Sequence, residues 1–119
     1  MVEKFKEILK KIDEAKGKVI LFAIIKTDDL SDKWSVIFSA DWAKTDKRDE
    51  VFNFLEDLFK KTLTQEEHQS IARIGIYMRD DYVVKSLLVF KKDFVIKEET
   101  KVNGFTTHEG YIIESNSSN

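Results

Sequence analysis

Phe5, Ile8, Leu9, Ile12 and Ala15 recur three and four positions apart. That spacing gathers them on one side of a helix, so an amphipathic helix is predicted over Val2 to Lys16. Lys4, Lys10, Lys11, Asp13 and Glu14 fall on the other side. Gly17 is the expected stop, since it enters the left-handed region without a Cβ clash. The pattern then changes. Val19 to Ile25 is apolar at every position. A strand shows alternate residues to opposite faces, so a wholly apolar strand needs cover on both. Lys18 to Lys26 is therefore predicted as the central strand of a sheet, with a layer on each side. Trp34 to Ala40 alternates instead. Trp34, Val36, Phe38 and Ala40 share one face, and Ser35, Ile37 and Ser39 share the other. The short polar link between these strands implies an antiparallel hairpin.

A second helix is predicted over Lys47 to Leu63, with Val51, Phe52, Leu55, Leu58, Phe59 and Leu63 as its apolar face. Thr45 or Asp46 is its expected cap. Asp49 and Glu50 suit the positive end of its dipole, and Lys60 and Lys61 suit the negative end. Thr64 and Glu67 have the spacing of a capping box, so a short helix follows to about Ser70. Ile71 to Met78 reads as a third strand. Residues 81–91 fit two states. Asp81 can cap a helix with Val83, Val84, Leu87 and Leu88 buried, yet the same residues suit a strand. The four-residue spacing of the apolar pairs favours the short helix.

The chain closes on a predicted hairpin, Phe94 to Val102 and Phe105 to Glu114. Asn103-Gly104 forms its turn, because both residues tolerate the positive φ of a type I′ turn. Residues 1–115 thus form one domain, and the polar residues 116–119 are expected as a disordered tail. The fold class is α+β: a mixed, largely antiparallel sheet of about five strands with two main helices packed on it.

Composition narrows the function. The chain has 119 residues, 42% of them hydrophobic, which suffices for a core without metals or disulfides. It has no cysteine, which removes thiolate catalysis, zinc ribbons and iron–sulfur clusters. Its formal charge of -2 gives no general attraction for phosphate backbones, so nucleic acid is a disfavoured partner. The basic strip Lys91, Lys92, Lys97 and Lys101 is interrupted by Glu98 and Glu99 and reads as a solvated surface. The charged N-terminal stretch has no signal-peptide core, and the longest apolar run is too short for a bilayer. A cytoplasmic protein without membrane contact is expected. Asn116-Ser117-Ser118 matches a glycosylation sequon, which then has no use.

Candidate chemistry is sparse. No phosphate loop, dinucleotide fingerprint, nucleophile elbow or metalloprotease motif is present. The Asp-rich link 27–33 lacks the alternating ligands and glycine of a calcium loop and reads as a solvated turn. Asp41 and Trp42 lie where a strand ends and a helix approaches, a usual place for a ligand crevice. Asp41 could serve as acid, base or anchor, and Trp42 could stack on a ring. The plainer reading is a turn residue and a core tryptophan. Arg73 could hold a carboxylate or phosphate, or could pair with a structural acid. His108 needs a carboxylate from elsewhere, such as Asp41, because its neighbour Glu109 points to the opposite face. His68 follows two glutamates but has no i, i+4 metal partner.

No complete catalytic constellation emerges, and no metal or cofactor is implied. The preferred expectation is a non-enzymatic interaction or regulatory module, with a protein partner or a second copy favoured over a small molecule. The terminal hairpin is expected at a sheet edge, where a partner strand could add. The alternative is a small-molecule site or small enzyme using Asp41, Trp42, Arg73 and His108 around the strand exits.

Overall fold

The computed structural model of the protein describes residues 1–30, 32–102 and 104–116. Their helices and strands follow in the order α1 (Val2–Ala15), β1 (Leu21–Thr27), β2 (Trp34–Ser39), α2 (Arg48–Thr62), α3 (Gln65–Gln69), β3 (Ile71–Ile76), α4 (Tyr82–Leu88), β4 (Val95–Ile96), β5 (Thr100–Val102) and β6 (Phe105–Ser115). The sheet runs β3-β2-β1-β6-β4, and β5 pairs with a second stretch of β6. Every pair is antiparallel except β2 and β3. The fold is thus α+β with a mixed, mostly antiparallel sheet, as its sequence pattern predicts.

β1 is the middle strand, between β2 and β6. Its alternation explains its wholly apolar sequence. Phe22 and Ile24 enter one core with α1 and α2, while Leu21, Ala23 and Ile25 enter another with α4. The first core is aromatic. Phe22 stacks on Phe59 with ring centres 6.4 Å apart, and Phe5 meets both rings edge-on or tilted at 5.6–5.7 Å. The second is aliphatic, with Ile37, Val84, Leu87, Ile96 and Ile112 at its centre. Hydrophobic burial on both faces is the main stabilising term for such a sheet.

Most local signals act as the sequence predicts. Gly17 has φ of +113° and its N–H donates to Ile12 and Asp13 carbonyls, ending α1. Thr64 and Glu67 form the reciprocal capping box of α3. Asp81 accepts from Val83 N–H at 2.9 Å and starts α4, so the segment at 82–88 is a helix. Gly104 has φ of +86°, and Val102 pairs with Phe105 across a two-residue link. Its other turn residue, Asn103, lies outside the described residues.

Four expectations change. The cap of α2 is neither Thr45 nor Asp46. These residues form a 3₁₀ turn with Lys47, which becomes the N-cap without a side-chain bond. Thr45 Oγ1 points instead to Met78 Sδ at 3.7 Å. The sheet has six strands where about five were expected, because the predicted strand Phe94 to Val102 is split. Val95 and Ile96 pair with Tyr111 and Gly110, whereas Thr100 to Val102 pair with Thr107 to Phe105. The charged residues between, Lys97, Glu98 and Glu99, are exposed and leave the ladder. Ala15 is exposed and takes no part in the helix's buried stripe. At the other end of the chain, β6 runs through Ser115, and Asn116 N–H donates to Ile20 O at 2.9 Å. The remaining residues of the expected tail, 117–119, lie outside the described residues. No helix among the described residues is long and apolar enough to cross a membrane.

The parallel pair defines one edge of the sheet. β2 leads through α2 and α3 into β3, and a parallel neighbour requires such a crossover. β3 thereby lands outside β2, and no described strand lies beyond it.

Candidate functional site

The residues singled out from sequence occupy opposite ends of the sheet. Asp41 and Trp42 follow the C-terminal end of β2, in a turn closed by Ala43 N–H to Ala40 O at 3.0 Å. Arg73 pairs in register with Ser35, near the start of β2, and His108 lies beside the last residues of β1. A six-residue strand such as β2 is about 20 Å long, so these ends do not share one site.

At the first end, Asp41 and Trp42 line an open hollow of about 420 Å³ with Lys16, Gly17, Ile20 and Arg79. Its strongest polar groups are already matched. Arg79 donates Nη2–H to Asp41 Oδ2 at 2.9 Å and Nε–H to Oδ1 at 3.4 Å. The hydrogen-bonded guanidinium holds the Asp41 carboxyl below its ordinary value, and the carboxylate raises Arg79 in turn. Trp42 Nε1–H donates to Lys18 O at 3.0 Å, and its ring lies edge-on to Phe38 at 5.7 Å. Trp42 therefore binds the chain after α1 to the end of β2. The Arg79 partnership spans 38 positions, and no local pattern announces it.

At the second end, Arg73 Nε–H donates to Ser35 Oγ at 3.4 Å, and Nη2 lies 3.7 Å from Asp29. Its guanidinium also sits 5.8 Å from the centre of the Phe105 ring. His108 Nε2 lies 3.3 Å from Asp28 Oδ1, so Asp28, and not Asp41, is the carboxylate beside it. Lys26 reaches Glu109 at 3.6 Å and covers the Trp34 ring at 4.7 Å. Among the described residues, no group of three or more acidic or histidine side chains converges to hold a metal ion.

The third region is the open edge. β3 reads Ile71-Ala72-Arg73-Ile74-Gly75-Ile76, with one charge in six residues. Tyr77 N–H donates to Phe38 O at 2.9 Å, and Phe38 pairs with Ile76. Backbone groups alternate along a strand, so the N–H and C=O of Ile76 and Ile74 turn away from β2. Beside them, two adjoining hollows of about 320 and 440 Å³ run between β3 and α2. Phe52 and Ile74 line both. Glu56 belongs to the hollow at the start of β3, and Arg48 to the one at its end. α2 thus runs antiparallel to β3, with Arg48, Phe52 and Glu56 at four-residue spacing on its outer stripe. Phe52 remains 37% exposed, although its sequence position places it on the apolar face of α2.

Glu56 also shares a short hydrogen bond with His68 Nε2 on α3. This pair escapes sequence reasoning because its members sit on different helices. α3 is held at its start as well. Glu67 accepts from Lys4 Nζ at 2.8 Å and from Thr64 N–H at 2.9 Å. The Lys4 bond first, then the Thr64 bond, lowers the Glu67 carboxyl to about 2.

No protein-family model matches this chain, and no curated protein or solved structure resembles it closely enough to count as a match.

Proposed function

We propose that the protein is a non-enzymatic interaction module that takes up a strand of another polypeptide along the outer edge of β3. The observation that carries this reading is the edge itself. Ile74 and Ile76 turn their backbone groups outward, and Phe52 is left part-exposed in the groove beside them. Strand addition uses such an edge for main-chain bonds and the flanking groove for specificity. The Asp41 corner supports a small-molecule site less well. A ligand there would have to displace Arg79 from Asp41, or the Lys18 carbonyl from Trp42.

Amide hydrogen exchange tests the reading, applied to protein purified gently from its own host. The Ile74 and Ile76 amides are expected to exchange slowly in the assembled state and quickly after Arg73→Pro or Gly75→Pro breaks the strand. Exchange of both amides at the rate of free solvated groups, in every preparation, would exclude strand addition at β3.

A further inference from the structure

On the basis of that reading, we infer that the strand received by β3 is the β3 of a second copy, paired antiparallel about Gly75. Three features of the edge are complementary to themselves under a two-fold axis. The first is hydrogen bonding. Centring the pair on Gly75 sets Ile74 opposite the partner's Ile76 and Ile76 opposite the partner's Ile74. Both residues turn their N–H and C=O outward, so each pair can exchange two hydrogen bonds. Centring on Ile74 would align Ile76 with the partner's Ala72, next to the register shift of the β2–β3 ladder.

The second feature is steric. Gly75 would face the partner's Gly75 as a non-hydrogen-bonded pair, where Cα atoms approach to about 4.5 Å. A Cβ at Gly75 would run into the Tyr77 ring, so a side chain there would push that ring aside. The same register sets Arg73 across from the partner's Tyr77, a cation facing an aromatic ring.

The third feature is charge. The outer stripe of α2 carries Arg48, Phe52 and Glu56, a base, an aromatic and an acid in antiparallel alignment with β3. Two-fold pairing brings each Arg48 to the partner's Glu56 and sets the two Phe52 rings near the axis. Arg48 has no ion pair among the described residues. Isologous interfaces require this kind of self-complementarity. The result is one continuous sheet across two copies, with both β3 edges closed.

Charge exchange tests the register. Arg48→Glu places an acid in the first turn of α2, which the helix dipole tolerates. Glu56→Lys gives the opposite lesion. Sedimentation velocity should find wild type as a dimer, with each variant weakened about tenfold or more. Mixing the two variants should restore a dimer containing one copy of each, seen by native mass spectrometry. In that mixed dimer the introduced acid faces the introduced base, and the retained Arg48 of one copy faces the retained Glu56 of the other. Recovery on mixing also shows that both variants are folded. A wild-type dimer indifferent to both substitutions, or variants that fail to recover on mixing while their circular dichroism is native, would overturn this register. A monomeric wild type with Ile74 and Ile76 protected by a different polypeptide would overturn self-pairing and leave strand addition standing. A monomeric wild type with both amides unprotected would end both proposals.

Discussion

At one edge of the sheet, β3 offers six residues with a single charge and the part-exposed Phe52 beside them. At the other, β4 has two residues and β5 three, and exposed Lys97, Glu98 and Glu99 separate them. Short strands, charges and a break in the ladder are the usual means of keeping an edge from pairing. Asp93 reinforces the contrast. It holds a positive φ of 71°, and its N–H donates to Ile112 O, so the chain entering β4 is turned in and fastened to β6. The lesson is that edge protection in this molecule is local. One rim carries several of these devices and the other carries almost none, within a single sheet.

The largest effect is expected at the protected rim. Gly110 lies where β4 meets β6, and an added Cβ would come within 2.9 Å of Ile25 Cγ2 and 3.2 Å of Ile96 Cδ1. Gly110→Ala should cost about 1–3 kcal/mol through overpacking. Urea unfolding would read this as a lower midpoint, with sedimentation behaviour unchanged. A neutral result would mean that Ile25 of β1 and Ile96 of β4 both yield to the added methyl at little cost.

A smaller effect is expected where α3 leads into the open rim. The Glu67 carboxyl lies at about 2, below its ordinary 4.5. The folded form therefore binds this proton less readily than the unfolded form. Its contribution is complete above pH 4.5 and is lost as pH falls toward 2. Glu67→Gln keeps the capping-box geometry and removes the charge. The variant should be less stable than wild type at pH 6, and the difference should shrink by pH 2.5. Parallel stability curves for the two proteins would show that the Lys4 tie carries no weight.

The smallest change in stability is predicted for Lys97→Val combined with Glu98→Val. Both side chains are exposed, so unfolding should shift by no more than about 0.5 kcal/mol. Light scattering should nevertheless detect new self-association, because the second edge keeps only Glu99 of its three separating charges. If the double variant stays as dispersed as wild type, Glu99 and the shortness of β4 and β5 suffice to protect that edge.

Much of this arrangement is legible in the amino-acid sequence. Signals confined to a few residues carry through. The Thr64–Glu67 box, the Asp81 cap, the Gly17 stop and the two-faced burial of Leu21 to Ile25 all form as their residues dictate. What depends on distant partners is not legible. Strand character in Ile71 to Ile76 follows from its composition, but its place as a parallel rim depends on where the crossover sets it down. A fifteen-residue helix between two strands is the available sign of that crossover. The break between β4 and β5 depends on which part of β6 each stretch meets. The candidate site suffers in the same way. Asp41, Trp42, Arg73 and His108 each look reactive alone, yet Arg79, Lys18, Asp29 and Asp28 take up their polar groups, and the two ends of β2 keep them apart.

The position of β1 has a consequence in time. Its neighbours in the sheet are β2, made next, and β6, the last of the described strands. Leu21 pairs with Ser39 on one side and with Ser115 on the other. During synthesis from the N-terminus, the first hairpin can close early, but the most apolar strand keeps one flank bare until β6 leaves the ribosome. Bringing such distant segments together is slow, because the long intervening loop must first be ordered. The nascent chain is therefore most vulnerable to aggregation just before β6 is delivered.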